Sequence, residues 1–228
     1  MEIVDAFEKL LAAEEGPALW DAIAEAGYLD ALAPESGLTL AEVEPLLRAL
    51  GRHAVDLPIA EAMATRAVAA PTRALCAVMA AVEIAGGGER LLEMSLAHAG
   101  QRRQFGKPLA AFQAIQQQLA VLAEQVVLVR IAAQAACAGG LDPAIEVAAT
   151  AKQVASAAVP VMTGIAHAVH GAIGITREFP LHRVTARLHA LRVAHGAESY
   201  WAERLGALRL ASDAGDSLAF VRAIEPAR

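Results

Sequence analysis

Phe112, Ile115, Leu119, Leu122, Val126, Val129, Ala133 and Ala136 alternate spacings of three and four. That places them on one stripe of one long helix, suited to knobs-into-holes packing against antiparallel neighbours. The neighbours are visible on either side. Apolar helical patterns run from about Ala74 to Ala99 and from Pro143 to about Val169, flanking the 111–138 helix. Gly139-Gly140 ends the middle helix, and Asp142-Pro143 offers the next an N-cap and a proline at its first position. Short loops between long helices give an antiparallel bundle. No run of β-branched residues alternates with polar ones, so the expected fold class is all-α.

The first seventy residues read as helices near Glu2–Ala13, Pro17–Glu25, Leu40–Arg52 and Pro58–Val68. Thr39 with Glu42 three residues on has the spacing of a capping box. Pro71 marks the expected boundary between a small N-terminal helical domain, 1–70, and a C-terminal bundle, 71–228. Two shorter helices follow the long ones, near Pro180 and from His195 onward. Gly86-Gly87-Gly88 lies inside the first long helix, where each glycine costs about 1 kcal/mol relative to alanine. Close packing of another helix accounts for it, or else a hinge or a ligand near the backbone. Pro160 is expected to kink the third long helix.

With 56% hydrophobic and 19% charged residues the chain should fold compactly. A net charge of -6 without any Lys/Arg run argues against nucleic acid and anionic lipid as partners. Cys76 and Cys137 sit among small apolar residues and read as inert buried thiols. The acidic, amphipathic start lacks the features of a secretory signal, giving a cytoplasmic expectation. Val154–Thr176 has no Asp, Glu, Lys or Arg, yet it is rich in alanine and valine and carries Ser156, Pro160, Thr163 and two histidines. It therefore reads as a helix inside a bundle rather than a membrane span. His167 and His170 have no nearby cysteine or carboxylate on their face, so a core or capping role is expected, and no metal site.

Two motifs carry chemistry. In QRRQFGKPLAAFQ, 101–113, Arg102 stands three before Phe105-Gly106 and Gln113 eleven after Arg102; HGAIGITREFPLHR, 170–183, is glycine-rich. Together, in this order and spacing, they resemble the flavin-contact elements of the acyl-CoA dehydrogenases. The resemblance covers most of the chain, strongly from Ala74 to Glu203. It implies FAD as cofactor, with Arg102 forking its N–H donors onto the pyrophosphate, Phe105 against the cofactor, Gln113 reaching it, and Gly106 and Pro108 making the turn. It implies backbone contacts from Gly171 and Gly174. The family's glutamine falls at Ala168, and one of its glycines is Ala172. In that family these groups reach across a subunit interface to the neighbour's FAD.

The family's catalytic glutamate, which removes an α-proton as hydride leaves to the flavin, falls at His195, and its alternative location falls near Cys76. No carboxylate lies between Ala74 and Val82. Neither usual base is present, so no catalytic residue is assigned beyond His195 in the base position. There is also no room at Pro71 for the family's middle β-domain. These readings imply a subunit of a heteromeric acyl-CoA dehydrogenase, sharing FAD with a full-length partner in a dimer or heterotetramer. The alternatives are a self-sufficient flavoprotein homodimer with an unusual base, and a non-catalytic bundle that lost the cofactor.

Overall fold

The computed structural model describes residues 2–224. Four helices come first: α1 (Glu2–Ala13), α2 (Gly16–Glu25), α3 (Leu40–Arg52) and α4 (Ile59–Ala67). The bundle consists of α5 (Arg73–Gln101), α6 (Gln113–Cys137), α7 (Ile145–His170), α8 (Leu181–Val193) and α9 (Glu198–Ala211), with a short α10 (Ser217–Ala223) after them. Between α5 and α6 lies a two-stranded hairpin, β1 (Arg103–Gln104) and β2 (Lys107–Pro108), the only sheet among the described residues. The all-α expectation holds, and the chain passes from α4 to α5 through Val68–Thr72 with no room for a sheet domain.

The capping box is present: Thr39 Oγ1 accepts from the Glu42 N–H at 3.3 Å, and Glu42 accepts from the Thr39 N–H at 2.9 Å. Elsewhere the helix starts differ from expectation. A 3₁₀ turn at Leu109–Ala111 precedes α6, which begins only at Gln113. Helix α7 begins at Ile145 with Ala144 in extended conformation as its N-cap, so Asp142 and Pro143 belong to the loop. Close packing of Gly139 against Pro143, whose Cα would lie 3.3 Å from an added Cβ, accompanies that loop path.

Helix α5 is the axis, packing against α3, α6, α7 and α8. The glycines explain how close these helices come. A Cβ on Gly51 of α3 would lie 1.8 Å from the Glu83 carbonyl oxygen, and one on Gly86 of α5 would lie 1.9 Å from that of Arg48. The two helices thus meet backbone to backbone. Gly87 and Gly88 face Leu188 and Met162, so packing accounts for the triplet. Trp201, 2% exposed, pins α9 against Ala77 of α5 and Ala149 of α7. Arg48 and Arg52 of α3 pair with Glu89 and Glu93 of α5. Two helices, Gln113–Cys137 and the α7 segment running to Ile175, are long and apolar enough to cross a membrane by composition, with 33% and 44% of those windows buried.

Candidate functional site

At the far end of α5 the helix stops at Arg102, whose backbone is extended. The chain reverses through Phe105 and Gly106, with φ +48° and +80°, the pair of positive values a tight two-residue hairpin turn needs. Phe105 and Gly106 therefore make the turn, while Pro108 sits in β2. Arg103 lies beyond the helix and its guanidinium donates to the Gly106 carbonyl at 3.0 Å, bracing the turn. Lys107 sits 4.2 Å above the Phe112 ring. Phe105 is left 91% exposed at the tip, with only an edge contact to Phe112. Arg102 and Gln113, the first residue of α6, are exposed beside it.

Packing brings the second motif to the same end. Ala99 of α5, Leu119 of α6 and Val169 of α7 form one buried cluster, covered by Leu109, Ala110 and Ile115. His98, one turn before Arg102, stacks on His170, the last residue of α7, with ring centroids 4.6 Å apart, and Phe179 packs on both. Burial foremost, then the neighbouring His170 and Arg102, holds the His98 imidazole below its usual range. The His170 Nδ1 lies 2.7 Å from the Ala166 carbonyl, and His167 Nε2 lies 3.3 Å from the Thr185 hydroxyl. Gly171 ends α7 at φ +62° with open space where a Cβ would be. Gly174 is buried, a Cβ there meeting Leu181 at 2.9 Å and His170 at 3.0 Å. So Gly171 offers accessible backbone, while Gly174 is required by packing. Ala168 and Ala172 are exposed where the sequence departs from the resembled pattern.

The base positions lie near the other end of α5. His195, at φ +57°, and Gly196, at +107°, form the tight connection between α8 and α9. Lys152 holds that connection from below. Its ammonium is fully buried and donates to the carbonyls of Leu191, Arg192 and Gly196 and to Ser156, at 2.8–3.0 Å. Burial still pushes its pKa down to about 8. His195 Nε2 lies 3.5 Å from Glu61 of α4. The hydrogen bond to His195 is the main reason the Glu61 carboxyl sits below its usual range.

His195 and Cys76 line one void, together with Glu61 and Glu83, so the two sequence positions for a base converge in space. The void measures about 10 Å³, room for one water at most. Glu83 was not singled out in the sequence, though it stands two turns after Cys76 on the same face of α5. It is 2% exposed and bonded to Arg187 of α8 at 2.8 Å. Burial outweighs that arginine and raises its pKa to about 7. Glu61 carried no sequence signal at all. Burial likewise raises the Cys76 thiol and pushes Cys137 up to about 12, leaving both poorly reactive.

Twenty-six residues of helix separate Cys76 from Arg102, about 39 Å at 1.5 Å per residue. The arginine end and the His195–Cys76 positions of one chain thus lie at opposite ends of α5.

Residues 72–207 match the family model described as acyl-CoA dehydrogenase, C-terminal domain. Relatives include the 3-sulfinopropanoyl-CoA desulfinase of Paraburkholderia xenovorans, 33% identical over 120 residues, which cover 52% of this chain and 31% of that protein. Acyl-CoA dehydrogenase IpdE2 of Mycobacterium tuberculosis is 34% identical over 113 residues, 50% of this chain and 35% of that one. The chain therefore spans about a third of these relatives. Among solved structures, the ChsE4-ChsE5 complex from Mycobacterium tuberculosis superposes with a TM-score of 0.78 at 18% identity, covering 93% of this chain and 95% of that chain. The Tcur3481-Tcur3483 steroid ACAD variant gives 0.77 at 18%, covering 92% and 98%. With its bundle, its motif end and more than half its length matched, the chain belongs to the acyl-CoA dehydrogenase family.

Proposed function

We propose that this chain is a subunit of a heteromeric FAD-dependent acyl-CoA dehydrogenase, lending Arg102, Phe105, Gln113 and the Gly171–Gly174 turn to a flavin held mainly by a full-length partner. The observation that carries this is Phe105, 91% exposed on a hairpin tip, with Arg102 and Gln113 also exposed. We read this aromatic, held out of its own core, as part of a surface that another body covers. The donor set fits the cofactor: a guanidinium fork for pyrophosphate, an amide at a helix start, and a glycine backbone with nothing over it. Further support comes from the apolar surface of α6, where Val121, Leu128 and Ile131 are exposed at 41%, 49% and 58%, and from the likeness to a chain of the ChsE4-ChsE5 complex.

Bound FAD would supply the hydride acceptor for dehydrogenation of an acyl-CoA. Arg102 would neutralise the pyrophosphate, Gln113 would donate an amide N–H, and Phe105 would exclude water from the adjoining surface. The partner would supply the β-domain and the catalytic glutamate. His195 is engaged with Glu61 beside a water-sized void, so in this reading it holds the α8–α9 connection and does not reach an acyl chain.

The test is an absorbance spectrum of the purified chain with added FAD, beside the same spectrum after co-expression with a full-length dehydrogenase. A colourless chain that yields a yellow complex supports the proposal. Full flavin occupancy in the chain alone overturns it in favour of an independent homodimer. A colourless complex overturns it in favour of a bundle without cofactor.

A further inference from the structure

A cleft of about 490 Å³ opens between the α1–α2 hairpin and α8. That volume falls in the range of about 300–1,000 Å³ typical of small-molecule pockets. Its floor is apolar, with Leu11, Leu19 and Val55 at 6%, 4% and 6% exposure and the exposed methyls of Ala186 and Ala190 on the α8 side.

Its rim is ionic. Arg183 and Arg187 stand one turn apart on the same face of α8. Each reaches a carboxylate, Arg183 to Glu15 at 2.7 Å and Arg187 to Asp56 at 3.5 Å. Those carboxylates are 76% and 94% exposed, so water screens both pairs. Another anion can therefore replace them at little cost.

Arg187 also faces inward. One terminal nitrogen donates to Glu83 at 2.8 Å, while its Nε is buried without a hydrogen-bond partner. Arg187 lines the cleft and Glu83 lines the void beside His195 and Cys76. One side chain thus joins the cleft to a buried carboxyl.

We propose that this cleft binds a small amphiphilic carboxylate, its head held by Arg183 and Arg187 in place of Glu15 and Asp56 and its apolar body laid on the Leu11–Leu19–Val55 floor. Two guanidinium charges select a carboxylate over a neutral or cationic head, and the apolar floor selects a chain over a bare anion. The site requires neither flavin nor partner. Binding also shifts Arg187 toward the ligand, leaving Glu83 less compensated in its buried position. The charged and titratable groups facing Glu83 are Arg187 from α8, Glu61 from α4, His195 from the α8–α9 connection and Cys76 from α5 itself. With Arg187 diverted, Glu83 keeps its proton to higher pH, so binding takes up protons at and above the pH of about 7 where Glu83 otherwise ionises.

The experiment is isothermal titration calorimetry of the purified chain with dodecanoate, and with dodecyltrimethylammonium as a cation of equal chain length. Two variants accompany it, Arg183→Gln and Ala186→Phe, both at exposed positions and checked for folding by circular dichroism. The expected result is saturable dodecanoate binding, weakened about tenfold by Arg183→Gln and abolished by Ala186→Phe, with a heat that varies with buffer ionisation enthalpy. Equal binding of the cation, the absence of saturation, or wild-type affinity in both variants would overturn the site. A heat independent of buffer would overturn the link to Glu83.

Discussion

Gly86→Ala tests the helix contact that fixes the rest of the arrangement. By local propensity the substitution gains about 1 kcal/mol. Its neighbour reverses the sign. The new Cβ would stand 1.9 Å from the Arg48 carbonyl oxygen and 2.8 Å from the carbonyl carbon, both of them backbone that cannot rotate away. Ordinary contact begins near 3.4 Å, so α3 and α5 would have to part by roughly 1.5 Å. A gap of about 0.5–1 Å already forfeits a quarter to a half of each dispersion contact, and Val43, Leu46, Leu47 and Leu50 of α3 are all buried. Overpacking costs about 1–3 kcal/mol, and a backbone clash belongs at the upper end. Net of propensity, a loss of about 2 kcal/mol is expected. Gly164→Ala is the control, with nothing within 4 Å of its Cβ, and should gain about 1 kcal/mol. Gly88→Ala falls between them, because it meets the flexible end of Met162 at 3.0 and 3.4 Å. Urea unfolding should rank the midpoints Gly164→Ala, then wild type with Gly88→Ala, then Gly86→Ala. A Gly86→Ala midpoint equal to that of Gly164→Ala would refute the close approach.

Glu83 ionises near 4.5 in the unfolded chain but only near 7 when folded, so the folded state holds a proton that the unfolded state has lost in between. Its contribution is fully present below about pH 4.5 and falls by on the order of 3 kcal/mol as pH rises through 7; Glu83→Gln should flatten that part of the stability profile, and an unchanged slope would count against a neutral buried carboxyl. Lys152→Met removes the ammonium from the Leu191 and Gly196 carbonyls, leaving Ser156 on the Arg192 carbonyl, and should cost about 3 kcal/mol, with faster hydrogen exchange around Gly196; exchange unchanged there would mean that the ammonium does not hold the connection. Arg102→Ala and Phe105→Ala should each leave the isolated chain within about 0.5 kcal/mol of wild type while lowering the flavin content of the partnered complex, and a complex with full flavin would remove those residues from the site.

Regularity was legible in the sequence wherever it repeats locally. The stripe and the Thr39–Glu42 cap depend on neighbours within a few residues; the cap and the stripe from Leu119 to Ala136 are present as read, while Phe112 precedes the helix and Ile115 is only half-buried. The start of α7 was misread because Asp142-Pro143 has the composition of a cap, while packing against Gly139 draws that dipeptide into the loop. The hairpin was hidden because a strand of two residues has no periodicity, and its turn relies on Phe105 adopting a positive φ, which an aromatic residue disfavours. The base region was the least legible. Glu61, Glu83, Arg187 and His195 come from α4, α5, α8 and the α8–α9 connection, and Glu83 and Arg187 are 104 residues apart. Neither local spacing nor composition encodes such a meeting.

The length of α5 explains how the two ends can have such different character. The core that holds α5 in place runs along its middle, through Gly86, Gly87 and Gly88, and does not depend on the identity of Arg102 at one end or Cys76 at the other. The void bounded by His195, Cys76, Glu61 and Glu83 near the other end therefore leaves the geometry of the hairpin end untouched. Hairpin geometry depends instead on Phe105 and Gly106 in the left-handed region and on the Arg103 brace. Holding an aromatic residue at positive φ costs of order 1–3 kcal/mol, and Phe105 recovers little of this within the chain because it is 91% exposed. Under the proposed function, burial of Phe105 against the body that covers the Arg102–Gln113 surface offsets that strain.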